Sequence, residues 1–106
     1  METARRFDAG KPRLDLLPPL AIEEMAKVLG AGADKYKPHE WKKGMQWSKI
    51  IGPLLRHVNA ILKGEDRDPE TGFLHSAHVM CNAAFLTEYY TIYPEGDDRV
   101  TEMYQK

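Results

Sequence analysis

Residues 73–86, FLHSAHVMCNAAFL, carry no Asp, Glu, Lys or Arg, although charged residues make up 29% of the chain. Read as a helix that starts near residues 72–75 and runs to about Ile92, where Pro94 and Gly96 end it, this segment is apolar on nearly every face. Such a helix must be covered on most of its sides. A chain of 106 residues has room for one domain with a modest core. The expectation is therefore an all-α fold of helical hairpins, with this helix buried between the subunits of a homodimer or homotetramer.

Polar residues interrupt the apolar helix at chosen places. At about 100° per residue, and taking His75 as zero, His78 falls near −60°, Asn82 near −20°, Leu86 near +20° and Tyr89 near −40°. All five share one stripe. Burying a polar group without a partner costs roughly 1–3 kcal/mol, so these side chains need polar neighbours. The nearest sources are His57 on the preceding helix and the loop GEDRDPETG, which presents Glu65, Asp66, Asp68 and Glu70. Clustered carboxylates repel one another unless solvent, cations or basic side chains compensate. Taken alone, the loop fits a solvated turn, with Asp68 and Glu70 near the positive end of the next helix, as well as it fits a metal site. The histidines favour the metal. Glu65 extends the inward line of His57 and Ile61 at i, i+4 and i+8, so a divalent cation in the cleft would satisfy carboxylates and imidazoles together.

The remaining segments frame that cleft. Residues 1–17 are polar and broken by Gly10, Pro12, Pro18 and Pro19, which predicts an extended arm. PPLAIEEMAKVLGAGADKY predicts a first helix with proline in its first turn. Ile22, Met25, Ala26, Leu29, Ala33 and Tyr36 gather on one side of it, and Glu23, Glu24, Lys27 and Asp34 on the other. Gly30 and Gly32 weaken its later turns. KYKPHEWKKGMQW reads as an irregular connection whose Trp41 and Trp47 need an apolar surface. Ser48 caps a turn leading to a helix over 53–63, with Leu54, His57, Val58 and Ile61 inward and Gly64 at its end. Residues 94–106 read as a solvated tail, and no strand periodicity is found.

Several classes are excluded. A formal net charge of −1, from 15 basic and 16 acidic residues, supplies no field to recruit polymeric nucleic acid or a membrane surface. A single cysteine, Cys81, rules out an internal disulfide and a cysteine-based zinc module. No apolar run approaches the roughly 20 residues that cross a bilayer, and the first residues lack the apolar core of a signal peptide; a cytoplasmic protein is expected. GAGADK lacks the third glycine of a dinucleotide loop, and HEWKK lacks the second histidine of a zinc-protease helix. DRDPETG departs from a calcium loop in its glycine position and in Ala77, which stands where the bidentate glutamate belongs. Cys81, without charged neighbours, reads as a packed thiol.

FDAGKPRLDLLPP, GADKYKPHEWKKG, LLRH and GEDRDPETGFLHSAHVMCNAAFL, taken in order over about residues 7–90, resemble the phage-associated dATP/dGTP diphosphohydrolase family. That family is grouped with the MazG-like all-α nucleotide pyrophosphohydrolases. The resemblance implies a MazG-like helical bundle, oligomeric as a rule, which uses Mg²⁺ or Mn²⁺ to split a deoxynucleoside triphosphate into monophosphate and pyrophosphate. Broader MazG relatives carry EExxE on one helix and ExxD on the next. Here Glu23 and Glu24 begin the first pattern, Lys27 takes the place of its third acid, and Glu65 and Asp68 match ExxD inside a loop. The metal ligands expected on this basis are Glu24, Glu65, Asp68, His75 and His78, with a carboxylate among Glu24, Glu65 and Asp68 orienting or deprotonating the attacking water. Glu24 is preferred to Glu23 because Glu23 is spaced to pair with Lys27. The mixed donor set leans toward Mn²⁺ tolerance. Lys11, Lys35 and Arg56 are candidate phosphate contacts, Tyr36 or Trp41 can stack on the base, and His57 and Asn82 line the cleft. A reading of a different class is a binding protein whose buried histidines are structural and whose uncharged helix docks on a partner.

Overall fold

A computed structural model describes residues 2–105, so the first residue of the arm and the last of the tail lie outside the described residues. Among the described residues three α-helices carry the fold: α1, Pro19–Lys35; α2, Ser48–Leu62; and α3, His75–Ile92. Short 3₁₀ turns cover Leu14–Leu16, Glu40–Lys43, Pro94–Gly96 and Glu102–Tyr104. Among the described residues there is no strand, only one isolated bridge between Arg67 and Leu74. The chain is all-α, and α1 and α3 start and stop close to their expected bounds.

Helix α2 begins at Ser48, a turn before Pro53, where the sequence placed its start. Two contacts from the other end of the chain explain the difference. Asp98 accepts hydrogen bonds from both the Ser48 amide, at 3.0 Å, and the Ser48 hydroxyl, so a carboxylate distant in sequence satisfies the first turn as an N-cap would. Trp47 is fixed just ahead of it, its amide donating to Gly96 O and its indole to Tyr93 O. Pro53 then lies where its missing N–H removes only the bond to the Lys49 carbonyl. The segment after Pro94 is correspondingly more than a solvated tail: Gly96 is buried and the Arg99 guanidinium lies 4.9 Å from the Trp47 ring.

The core gathers where α2 and α3 meet. Trp47, Ile50 and Tyr89 are buried there, with Trp41, Ile51, Phe85, Leu86 and Tyr93 packed against them. The Tyr89 hydroxyl donates to Trp41 O at 2.6 Å, which holds the connection before α2 against the core. Helix α1 covers another face of α3, where Ala77 and Cys81 are buried and the Cys81 thiol lies 3.6 Å from Met25 O. Burial pushes the Cys81 thiol up to about 11, which makes it an inert packed group. The apolar helix is therefore covered largely within its own chain, while Ser76, Ala83 and Thr87 form an exposed strip.

That cover leaves much apolar surface open. No residue of α1 is buried, and Phe7, Leu14, Leu16, Leu20, Leu55 and Leu62 are all exposed. The chain exposes 8776 Å², against roughly 6,000 Å² for a compact monomer of this mass. Its radius of gyration is 17.6 Å, against about 13 Å for a compact chain of this length.

Candidate functional site

The site is assembled by the way α2 ends. Gly64, at φ 89°, takes the left-handed conformation that stops a helix at low steric cost. Its amide donates to Ile61 O and the Glu65 amide to Ala60 O, the paired bonds of a Schellman cap. Glu65 is thus placed by the cap and not by continuation of the helix, and Ile61, expected inward, is 40% exposed. The loop then folds back tightly, with the Asp68 amide on Phe73 O and the His75 amide on Asp66 O. Asp68 Oδ1 accepts the Glu70 amide at 2.8 Å, an Asx turn that fixes the carboxylate and leaves Oδ2 available.

Three imidazoles meet at the mouth of this loop. His57 Nδ1 and His75 Nδ1 are 2.8 Å apart. His57 also stacks on His78, with ring centroids 4.5 Å apart and planes 3° from parallel. His75 is buried, and its Nε2 donates to Glu65 Oε1 at 2.7 Å. That bond assigns the proton of neutral His75 to Nε2 and leaves Nδ1 with a lone pair. His78 Nε2 is 2.9 Å from the Thr71 hydroxyl and 3.8 Å from Asp68 Oδ2. Burial, reinforced by the neighbouring His78 and His75, holds the pKa of His57 below the usual histidine range. Burial also lowers that of His78, against the opposing pull of Asp68.

Among the described residues, His57, Asp68 and His75 form the group whose ligand atoms all lie within 4.8 Å of one another. The arrangement fits a divalent cation on three counts. Neighbouring ligands at a right angle on an ion with bonds of about 2.05 Å stand about 2.9 Å apart, close to the separation of the two Nδ1 atoms. The opposite nitrogen of His75 donates to a carboxylate, one of the acceptors, with backbone carbonyls and water, that hold metal-bound histidines. Both His57 and His78 favour the neutral form that a ligand requires. Two imidazoles and one carboxylate suit Mn²⁺ and the later divalent metals better than Mg²⁺.

The structure redistributes the expected roles. Asp68 and His75 belong to the clustered group, together with His57. Glu65 lies behind His75 as its hydrogen-bond acceptor, and His78 stacks on His57 and binds Thr71, so both flank the group. Glu24 is on α1, 2.9 Å from Lys27; the expected Glu23–Lys27 pair gives way to this one, one residue closer in sequence. The Asn82 amide donates to the His78 carbonyl at 3.0 Å. Lys11 stays on the arm, with its amide on Asp8 O, and Arg56 is exposed on α2. Lys35 lies 5.2 Å from the Tyr36 ring, and Trp41 stacks on Phe85 at 5.1 Å. In the sequence His57 stands out only as a residue lining the cleft, and Thr71 does not stand out at all. An inward histidine close to the end of one helix, facing another at the start of the next, was the available signal for the first. For Thr71 there was none, because its contact depends on the fold of the loop.

Residues 1–99 match the sequence model of a family described as dATP/dGTP diphosphohydrolase, N-terminal. The chain is also similar to a dATP/dGTP diphosphohydrolase of Salmonella phage PMBT28, 36% identical over 97 residues that cover 92% of this chain and 33% of the relative. It thus spans about a third of that relative's length. No solved structure matches.

Proposed function

The chain belongs to the dATP/dGTP diphosphohydrolase family, and from that premise we propose that it hydrolyses a deoxynucleoside triphosphate, dATP or dGTP in type, to the monophosphate and pyrophosphate. Water adds its oxygen to the α-phosphorus, the bond from that phosphorus to the α–β bridging oxygen breaks, and the two water protons pass to the products and solvent. A divalent cation would be held by His57, His75 and Asp68, where it offsets triphosphate charge and acidifies bound water. The observation that carries this reading is the pair of Nδ1 atoms 2.8 Å apart backed by Glu65 on the far nitrogen of His75. Both features fit a built metal centre, and neither is needed by a solvated turn.

The chain's own groups have distinct tasks. Glu65 holds the His75 tautomer so that Nδ1 faces inward with its lone pair. Asp68, clamped by the Glu70 amide, keeps one oxygen free to accept a proton or a cation. Thr71 and the stacked rings of His57 and His78 fix the wall beside it. Helical geometry places Asn82 one turn beyond His78 on the same face of α3, suited to hydrogen bonding with a sugar or phosphate oxygen. No helix among the described residues is long and apolar enough to cross a membrane.

The working unit is proposed to be a homodimer or homotetramer with the MazG-like bundle completed between subunits. The support is the surface excess of roughly 2,700 Å² over a compact monomer, which is the amount an obligate homodimer buries on each chain at the upper end of the usual range.

The test is direct. The protein is incubated with each deoxynucleoside triphosphate and Mn²⁺, and the products are separated by anion-exchange chromatography. Monophosphate with equimolar pyrophosphate is expected, and it should vanish with chelator and in the His75→Ala protein. Absence of turnover with every nucleotide and with Mn²⁺, Mg²⁺ or Co²⁺ favours instead the binding module with structural histidines.

A further inference from the structure

A second feature lies outside the histidine cluster. A cavity of about 680 Å³ opens between the later turns of α1 and the connection that precedes α2. Its walls include Val28, Leu29, Ala33, Tyr36, Trp41 and Phe85. We propose that this cavity receives the nucleobase of the substrate, a purine ring system sandwiched by aliphatic and aromatic side chains. This inference rests on the reading of the histidine cluster as the triphosphate end of the same site.

Three observations support it. The first concerns rigidity. Trp41 and Phe85 stack at 5.1 Å with planes 23° apart, and Trp41 is braced from behind by the hydroxyl of fully buried Tyr89. A preformed aromatic wall suits a flat π-system, and base stacking on such a side chain is sequence-tolerant and strong.

The second concerns two glycines. Gly30 and Gly32 lie inside α1 and line the cavity, and a Cβ built on either would meet nothing within 4 Å. Glycine in a helix interior costs about 0.5–1 kcal/mol relative to alanine, and neither glycine here relieves a clash or supplies a positive φ. At 100° per residue the two point about 160° apart: Gly32 shares the side of Leu29, Ala33 and Tyr36 and leaves open room on the cavity face, whereas Gly30 lies at its edge. The polar groups of the wall are few: Lys37, His39 and Glu40, enough to read the edge of a base within an otherwise apolar site.

The third is alignment with the phosphate end. At 100° and 1.5 Å per residue, His78 and Phe85 lie within about 20° of one another on α3 and about 10 Å apart along it, with Asn82 between them. Both α1 and α2 pack on α3, and their mutual contacts are sparse. The face of α3 that floors the space between them therefore leads from the imidazoles to the cavity over the length of a nucleotide.

The experiment uses the full chain labelled with ¹⁵N, stripped of metal and then exchanged into chelator-free buffer, and two probes that separate the halves of the ligand. Deoxyadenosine, which has no phosphate, should shift the amides of Gly30 and Gly32 and the indole of Trp41. Inorganic tripolyphosphate with Mg²⁺ should shift the resonances of the loop 65–74 and leave the glycines alone. Gly32→Leu should fill the cavity, weaken deoxyadenosine binding at least tenfold and leave tripolyphosphate binding unchanged; Gly30→Ala, at the edge of the wall, is the control and should leave nucleoside binding within about twofold of the parent with no loss of melting temperature. The proposal is overturned if deoxyadenosine at its solubility limit leaves these three resonances in place, or if Gly32→Leu binds it as the parent does. It is equally overturned if Gly32→Leu instead converts an oligomer to a monomer by light scattering, since a second copy would then occupy the cavity. Nucleoside binding without any triphosphate turnover would fault the hydrolase reading and leave the cavity assignment standing. Turnover with nucleoside binding elsewhere would do the reverse.

Discussion

His57 Nδ1 stands 2.8 Å from His75 Nδ1, so without an ion between them the two rings can share only one proton. Because His75 donates its other N–H to Glu65, His57 is the donor and His75 the acceptor. A cation held by both Nδ1 atoms would move that proton to Nε2 of His57, a change of tautomer that releases nothing to solvent because the ring is already neutral. The switch is measurable with diamagnetic Zn²⁺ in long-range ¹H–¹⁵N spectra at pH 7.5, where His57 Nδ1 should lose its proton and Nε2 gain it. A His57 ring that keeps its proton on Nδ1 at saturating metal would remove His57 from the ligand set.

Removing a ligand and removing its support have different sizes. His75→Ala should abolish the rise in melting temperature that Mn²⁺ gives the parent and lower turnover by about 100-fold or more. Glu65→Gln keeps an acceptor oxygen for His75 and loses only charge, so it should weaken metal binding by about tenfold. Glu65→Leu removes the acceptor and should approach the roughly 100-fold upper range for groups behind a ligand. Equal loss in Glu65→Gln and His75→Ala would show that Glu65 binds the ion itself.

The depressed pKa values of His57 and His78 set a stability profile with a definite sign. In the unfolded chain these imidazoles protonate near pH 6.5, whereas in the folded chain they stay neutral to lower pH. Between those limits the unfolded state binds more protons, so stability is complete above about pH 6.5 and falls as the pH drops below it. Thermal melts in chelator from pH 7.5 to 5 should show this decline, and it should be shallower in His57→Gln. Carboxylates such as Asp98, held low by its bonds to Ser48, contribute only below about pH 4, outside the window. A flat profile between pH 7.5 and 5 would contradict the assignment.

Asp98 acts far from the cluster and should separate stability from chemistry. It takes the place of a local cap for α2, and loss of a capping side chain destabilises the helix it starts. Asp98→Ala should lower the melting temperature by a few degrees and leave the turnover per folded molecule unchanged. A turnover loss larger than the folded fraction explains would mean that the start of α2 is coupled to the site.

What the sequence disclosed follows physical range. Helices α1 and α3 were legible because their periodicity and their proline and glycine boundaries are local properties. The stripe of His75, His78 and Asn82 followed from the same helical arithmetic, and the need for polar neighbours drew attention to the loop. The early start of α2 was not legible, because it depends on Asp98 and Gly96, which lie some 50 residues away in sequence. That Glu65 reaches the cleft of His75 is legible in the sequence, but its route is not, for the same reason at shorter range: a Schellman cap at Gly64 breaks the i, i+4 line, so the carboxylate reaches His75 by a turn. Glu24 was favoured because Glu23 matched the better ion-pair spacing, yet Lys27 bends one residue closer. Exposed ion pairs differ by only a few tenths of a kcal/mol, too little for spacing to decide between them.

The final expectation concerns assembly. A chain whose radius of gyration is 17.6 Å and whose first helix has no buried residue lacks the burial that stabilises domains of this size, since chains of this length carry little surplus. The exposed Leu14, Leu16, Leu20, Leu55 and Leu62 add to the apolar area that water would have to cover. Association removes that area at about 25 cal/mol per Å², ample to offset the loss of translational and rotational freedom. Light scattering at micromolar concentration should give a mass of two or four chains, and the melting temperature should rise with protein concentration. Leu20→Glu with Leu62→Glu should shift the population toward a less stable monomer. A parent protein that is monomeric, with a melting temperature independent of concentration, would leave the open α1 face unexplained by self-association.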